Sequence, residues 1–165
     1  MKNLPSGFES GGRQMFLLFR VNGELYGTPL SGVREVVPFQ KPRPVPNTKK
    51  NYLGIINLRG EISGVVDMRL WFEDNSPASN KAEPKALIVV ESSLGLMAIA
   101  ADAVETICQL ESKEIEYAKS IPSSFSAGGM IGLARLKQGL ATLLDVRALC
   151  SHVDVATERK ERWAV

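Results

Sequence analysis

A mainly β protein made of two small antiparallel barrels is what this sequence predicts, and three observations carry the prediction. Short apolar runs alternate with turn signals along most of the chain. Stretches with helical periodicity are few and short. One segment also occurs twice: at an offset of 78 residues Leu136 falls on Leu58, Leu140 on Ile62, Leu143-Leu144 on Val65-Val66, Asp145 on Asp67, Val146 on Met68 and Arg147 on Arg69. A fainter upstream pair, at an offset of 70, sets Glu105 on Glu35 and Thr106-Ile107 on Val36-Val37. A supersecondary unit used twice keeps its apolar pattern for folding and differs where function resides.

Met15 to Val21 is β-prone and leads through Asn22-Gly23, the strongest two-residue hairpin signal in the chain, into Glu24 to Thr28. Leu30, Val33 and Val37 then fall at helical spacing, with Ser31 as N-cap and Pro38 as stop, so a short helical turn is expected over Ser31 to Val37. Lys41 to Lys50 reads as a loop: Pro42, Pro44 and Pro46 fix an extended path, and Lys41, Arg43, Lys49 and Lys50 keep it solvated. Tyr52 to Leu58 and Glu61 to Val66 form a hairpin around Arg59-Gly60, and Asp67 stands where a new helix begins, able to accept hydrogen bonds from its free amides. Trp71 and Phe72 read as core plugs. Asp74 to Pro84 is the expected linker between halves.

The second half repeats the plan. Ala86 to Glu91 and Leu96 to Ala100 flank Ser92-Ser93 as a hairpin, and Asp102 to Glu105 reads as a capping box opening another helical turn. Ser120 to Gly129 is a flexible approach to the last hairpin, whose tip is Lys137-Gln138-Gly139. After Asp145, a second helix cap, Val146, Leu149, Cys150 and Val153 at i, i+3, i+4 and i+7 predict a terminal helix packed one face down.

Composition bounds the function. With 44% hydrophobic and 23% charged residues in a chain of 165, a soluble globular protein is expected. A net charge of +2, from 20 basic and 18 acidic side chains, lacks the excess of a dedicated nucleic-acid binder. Residues 1–14 have no apolar h-region, and the longest apolar run, Leu94 to Ala101, is too short to span a bilayer, so a cytoplasmic location is expected. Cys108 and Cys150 share no motif and read as reduced, buried thiols. His152 is the single histidine, without ligand-spaced neighbours, and reads as a surface residue. No nucleophile elbow, phosphate-cradling loop or Cys-His pairing signal is present, so no catalytic residue, metal or cofactor is assigned.

The segment Gly54-Ile55-Ile56-Asn57-Leu58-Arg59-Gly60-Glu61, continued by Val65-Val66-Asp67-Met68-Arg69, is similar to the most recognisable motif of the CheW family. Val33-Arg34-Glu35-Val36 resembles its other signature, and the order of elements from Met15 to Ser151 agrees with the family's. The resemblance implies a pair of five-stranded SH3-like barrels in a single domain over residues 15–156. The first barrel would cover about 22–80 and the second about 84–150, completed by the N-terminal strand 15–21, with a flexible 1–14 and a frayed 157–165. It also implies a non-catalytic adaptor that couples the cytoplasmic tip of methyl-accepting chemoreceptors to the regulatory domain of a CheA-type histidine kinase, in chemotaxis or twitching motility, and reaches the membrane only through receptors. Val33, Glu35, Gly54, Asn57 and Arg59 are then the expected receptor-binding positions. Three positions depart from the family's pattern: Gly64 stands where Pro is common, Pro29 interrupts an edge that is usually β-branched, and the loop from Lys41 to Lys50 is unusually basic and proline-rich.

An arginine beside a turn glycine is ordinarily a solvated turn residue. At Arg59 the motif argues for contact instead, because a planar guanidinium with five donors suits bidentate recognition of a carboxylate or of free carbonyls. Glu35 has an echo in Glu105, which favours a structural role for at least one of the two. The alternative function from another class is a small barrel that binds nucleic acid through the basic loop 41–50; Phe16, Phe19 and Tyr26 lack the paired basic positions of a stacking platform.

Overall fold

The computed structural model describes residues 12–71, 83–118 and 129–151. Most of the expected linker at 74–84, most of the approach at 120–129, and Phe72, His152, Val153 and both chain ends lie outside the described residues, as does the side chain of Trp71.

Eleven strands and two short helices make up the described chain. The first half holds β1 (Arg13–Val21), β2 (Glu24–Pro29), β3 (Val33–Pro38), β4 (Tyr52–Leu58), β5 (Glu61–Asp67) and helix α1 (Met68–Trp71). The second holds β6 (Ala86–Ser92), β7 (Gly95–Ala101), β8 (Ala103–Glu111), β9 (Ile115–Tyr117), β10 (Met130–Leu136), β11 (Gly139–Leu144) and helix α2 (Val146–Ser151). They form a six-stranded sheet in the order β8-β1-β2-β11-β10-β9 and a five-stranded sheet in the order β3-β6-β7-β5-β4. These are the two barrels of the fold.

The two halves of the chain exchange hairpins. The hairpin β1–β2 sits among strands of the second half, paired with β8 on one side and, in parallel, with β11 on the other. Reciprocally, β6–β7 sits between β3 and β5, again with one antiparallel and one parallel junction. The expected division at about residue 84 is therefore corrected: β2 belongs with the second barrel together with β1, and β6 and β7 belong with the first. The reason is burial on both faces. On β1, Phe16 and Leu18 point into one barrel while Leu17 and Phe19 point into a core shared by both sheets and both helices. On β6, Leu87 and Val89 fill the other barrel while Ile88 and Val90 join the shared core. A strand covered on both sides reads as a continuous apolar run rather than an alternating one, and Phe16–Phe19 and Leu87–Val90 are such runs.

Two expected helical turns are strands. Of the first, the chain makes a turn of 3-10 helix at Leu30–Gly32, without a side-chain cap, while Val33–Pro38 is extended with alternating half-buried and exposed residues. Ala103–Glu111 is likewise extended. β-Branched residues at Val33, Val36 and Val37 favour the pleated surface, and an open ladder on β6 supplies hydrogen bonds that an isolated turn lacks. The capping box occurs downstream instead, between Glu111 and Glu114. Asp102 accepts a hydrogen bond from the Asn22 amide at 2.5 Å. Asp67 and Asp145 do cap their helices, accepting from the Arg69 amide at 2.9 Å and the Ala148 amide at 3.1 Å.

Helix α2 buries Val146, Leu149 and Cys150 against the shared core. Burial, with Asp145 nearby, pushes the Cys150 thiol up to about 12. The raised value favours the neutral thiol in the folded state, so its contribution to stability is complete below the ordinary value of 9.0 and is lost as pH rises toward about 12. Native protein is therefore expected to shield Cys150 from iodoacetamide at neutral pH, while denatured protein modifies it readily; peptide mapping after both treatments checks this. Equal labelling of Cys150 in the two states would contradict the packing.

Candidate functional site

The hairpin β4–β5 turns through Arg59 and Gly60, both in the left-handed region at φ 51° and 88°. This two-residue turn matches the twist of its strands and points the Arg59 side chain into solvent. Asn57 holds the turn, its Oδ1 accepting from the Gly60 amide at 2.7 Å. Across the tip lies β3, where Arg34 is the extra residue of a bulge between Val33 and Glu35.

The bulge brings consecutive side chains of β3 to the same hairpin. Glu35, a quarter exposed, pairs with Arg59, which is 77% exposed. Arg34 donates to Glu61 Oε2 at 2.7 Å and to Glu91 Oε1 at 3.2 Å. The hydrogen bond and charge of Glu61 raise the Arg34 guanidinium above its ordinary value, so it stays charged at any ordinary pH. Exposed pairs of this kind add little to stability, so their effect is mainly to fix the tip's position. The second barrel has a related lock: Arg20 on β1 pairs with Glu105 on β8 and donates to the Gln138 carbonyl at the tip of β10–β11 at 3.4 Å. Glu35 and Glu105 thus share the structural role their echo suggests.

Of the five expected site residues, Glu35, Asn57 and Arg59 converge on the tip. Val33 lies two residues along β3, half-buried against the shared core. Gly54 stands at the far end of β4, buried, at φ +138°, where an added Cβ would come within 2.1 Å of the Arg43 carbonyl oxygen. Sequence reading passed over Arg34, although it lies inside the motif Val33-Arg34-Glu35-Val36; its signal was adjacency to Glu35. Around the tip the surface mixes charge with exposed apolar groups, Val36 at 42% and Ile62 at 57%. Ile62 is the cross-strand partner of Asn57 and so shares its face. Such a mixed patch suits a modest protein interface with a few apolar anchors inside a polar rim. Among the described residues no three His, Cys, Asp or Glu side chains cluster as metal ligands would.

Comparisons with known proteins agree with one another. The CheW-like domain family matches residues 15–154. A chemotaxis protein CheW from Klebsiella aerogenes is 26% identical over 143 residues, covering 87% of this chain and 85% of its own. One from Rhizobium meliloti is 25% identical over 148 residues, covering 88% and 92%. In three dimensions the chain is similar to the scaffolding protein TtCheW of Thermoanaerobacter tengcongensis, with a TM-score of 0.71 at 25% identity, over 87% of this chain and 95% of that one.

Proposed function

The chain belongs to the CheW-like family, and from that premise we propose that it couples chemoreceptors to a CheA-type histidine kinase as a non-catalytic adaptor. The family and its scaffold relatives support a chemotaxis adaptor or scaffold. The finer reading takes the cytoplasmic tip of a chemoreceptor as one partner and the regulatory domain of the kinase as the other. Its setting is the cytoplasmic face of a receptor array; no helix among the described residues is long and apolar enough to cross a membrane.

One observation carries the receptor side: an exposed guanidinium, Arg59, oriented by Glu35 and by a turn that Asn57 holds, beside the exposed Ile62. A guanidinium held in place before binding loses less freedom on contact with a carboxylate or a helix's free carbonyls. Exchanging Arg59 for Glu removes the donors and places two carboxylates together. Association with a receptor-tip fragment is expected to weaken by more than ~1 kcal/mol, with thermal melting little changed because the pair is exposed. Isothermal titration of wild type and R59E measures this, and unchanged affinity with native melting would remove Arg59 from the site. Saturable binding of the wild-type protein to the kinase regulatory domain tests the other half of the coupling.

A further inference from the structure

Both barrels close in the same way, with chemically opposite straps. After β3 the chain stays beside β6, Phe39 donating to the Lys85 carbonyl at 3.0 Å, then crosses to β4. There Arg43 and Ile55 exchange backbone hydrogen bonds of 2.8 and 2.9 Å. In the second barrel β9 takes the equivalent place, with Glu116 opposite Leu133, the residue 78 positions after Ile55. The glycines confirm the match: a Cβ on Gly54 would meet the Arg43 carbonyl oxygen at 2.1 Å, and one on Gly132 the Glu116 carbonyl oxygen at 2.2 Å. The first strap carries Lys41 and Arg43 where the second carries Glu114 and Glu116.

The cationic strap is fixed and its charges are available. Pro42, Pro44 and Pro46 restrict its backbone, the Arg43–Ile55 bridge pins it to the sheet, and the Thr48 hydroxyl donates to the Val45 carbonyl at 2.9 Å. Lys41, Arg43 and Lys50 are exposed. None of them forms an ion pair among the described residues. Arg43 shares its side of the sheet with its partner Ile55, and Ile62 lies diagonally across on the same face. The strap is therefore continuous with the patch around the β4–β5 tip. Nearby aromatic rings do not offer a stacking face: Phe39 packs against the first barrel's core and Tyr52 against the shared core.

We propose that the strap over residues 41–50 docks an acidic segment of a protein partner, and that the opposed charges of the two straps direct that segment to the first barrel. Like charge at Glu114 and Glu116 disfavours the second barrel, so the pair of straps gives orientation as well as attraction. The choice of test partners rests on the adaptor reading; the strap's preference for carboxylates does not.

Wild type, the triple variant K41Q/R43Q/K50Q and the control E116Q would be titrated against a receptor-tip fragment and the kinase regulatory domain at low and high salt. All four replaced side chains are exposed, and thermal melts verify folding. The expected result is a loss of about tenfold for one partner in the triple variant, with a shallower salt dependence, and no loss in E116Q. If both partners bind the triple variant as tightly as wild type, the proposal is overturned and the adaptor reading stands. If neither partner binds wild type, the adaptor reading fails, and an NMR titration with decaglutamate and with a short oligothymidylate decides the proposal. Shifts at Arg43 and Ile55 with decaglutamate that vanish in the triple variant retain it. Shifts with the oligonucleotide alone, or with neither probe, overturn it.

Discussion

Replacing Gly54 with alanine is expected to destabilise the protein by about 3 kcal/mol or more. Two costs add. At φ +138° an L residue is strained wherever it sits, and here the new Cβ would also overlap the backbone of Arg43 and Pro44. Relief requires the strap to leave β4, which breaks both hydrogen bonds between Arg43 and Ile55. Gly60 is the control: at φ +88° with open space around it, alanine there should cost only about 1 kcal/mol. Urea denaturation of G54A, G60A and wild type compares them. A G54A midpoint close to that of G60A would show that the strap yields easily. Receptor affinity measured alongside separates contact from support: a direct contact at Gly54 predicts lost binding in G54A protein that still folds, whereas a supporting role predicts that binding falls with the folded fraction.

The second large effect concerns cooperativity. Cutting the chain within residues 72–82 and producing each half alone is expected to give two unfolded or aggregating fragments. The first half would lack β6–β7, whose Leu87, Val89, Ala98 and Ala100 fill its barrel. The second would lack β1–β2, with Phe16, Leu18 and Leu25. Each fully buried Val, Leu or Phe among these contributes about 1.5–3 kcal/mol, so together they are comparable with the whole stability of a small domain, about 5–15 kcal/mol. Mixing the halves should restore native circular dichroism, because both hairpins then have their places. The intact protein should melt in one transition despite having two barrels. A cooperative melt from either half alone would contradict the reciprocal exchange.

Arg59, Glu35 and Asn57 were legible in the sequence as a motif, but not as a contact. The ion pair spans two strands that are neighbours only because the barrel closes, and it depends on a bulge at Arg34 that no local pattern announces. Gly54 was legible as a motif residue, while its positive φ and the strap against it emerge only from the crossing of Arg43. The helical reading of Ser31 to Val37 failed for a similar reason. Leu30, Val33 and Val37 fit a helical spacing, Val33, Glu35 and Val37 fit an alternating one, and the free edge of β6 decided between them.

By itself the sequence determined the mainly β character, the hairpin turns, the duplication, the helix caps at Asp67 and Asp145, and the family. All of these rest on residues close together in the chain, or on one segment compared with its copy. The tertiary structure alone decided which hairpin joins which barrel, how two equivalent straps came to carry opposite charge at matching places, and which cations meet which carboxylates. Apolar alternation tells a strand which face to bury but not beside which neighbour, and that choice is made by the shared core, where both barrels and both helices bury their remaining apolar faces together.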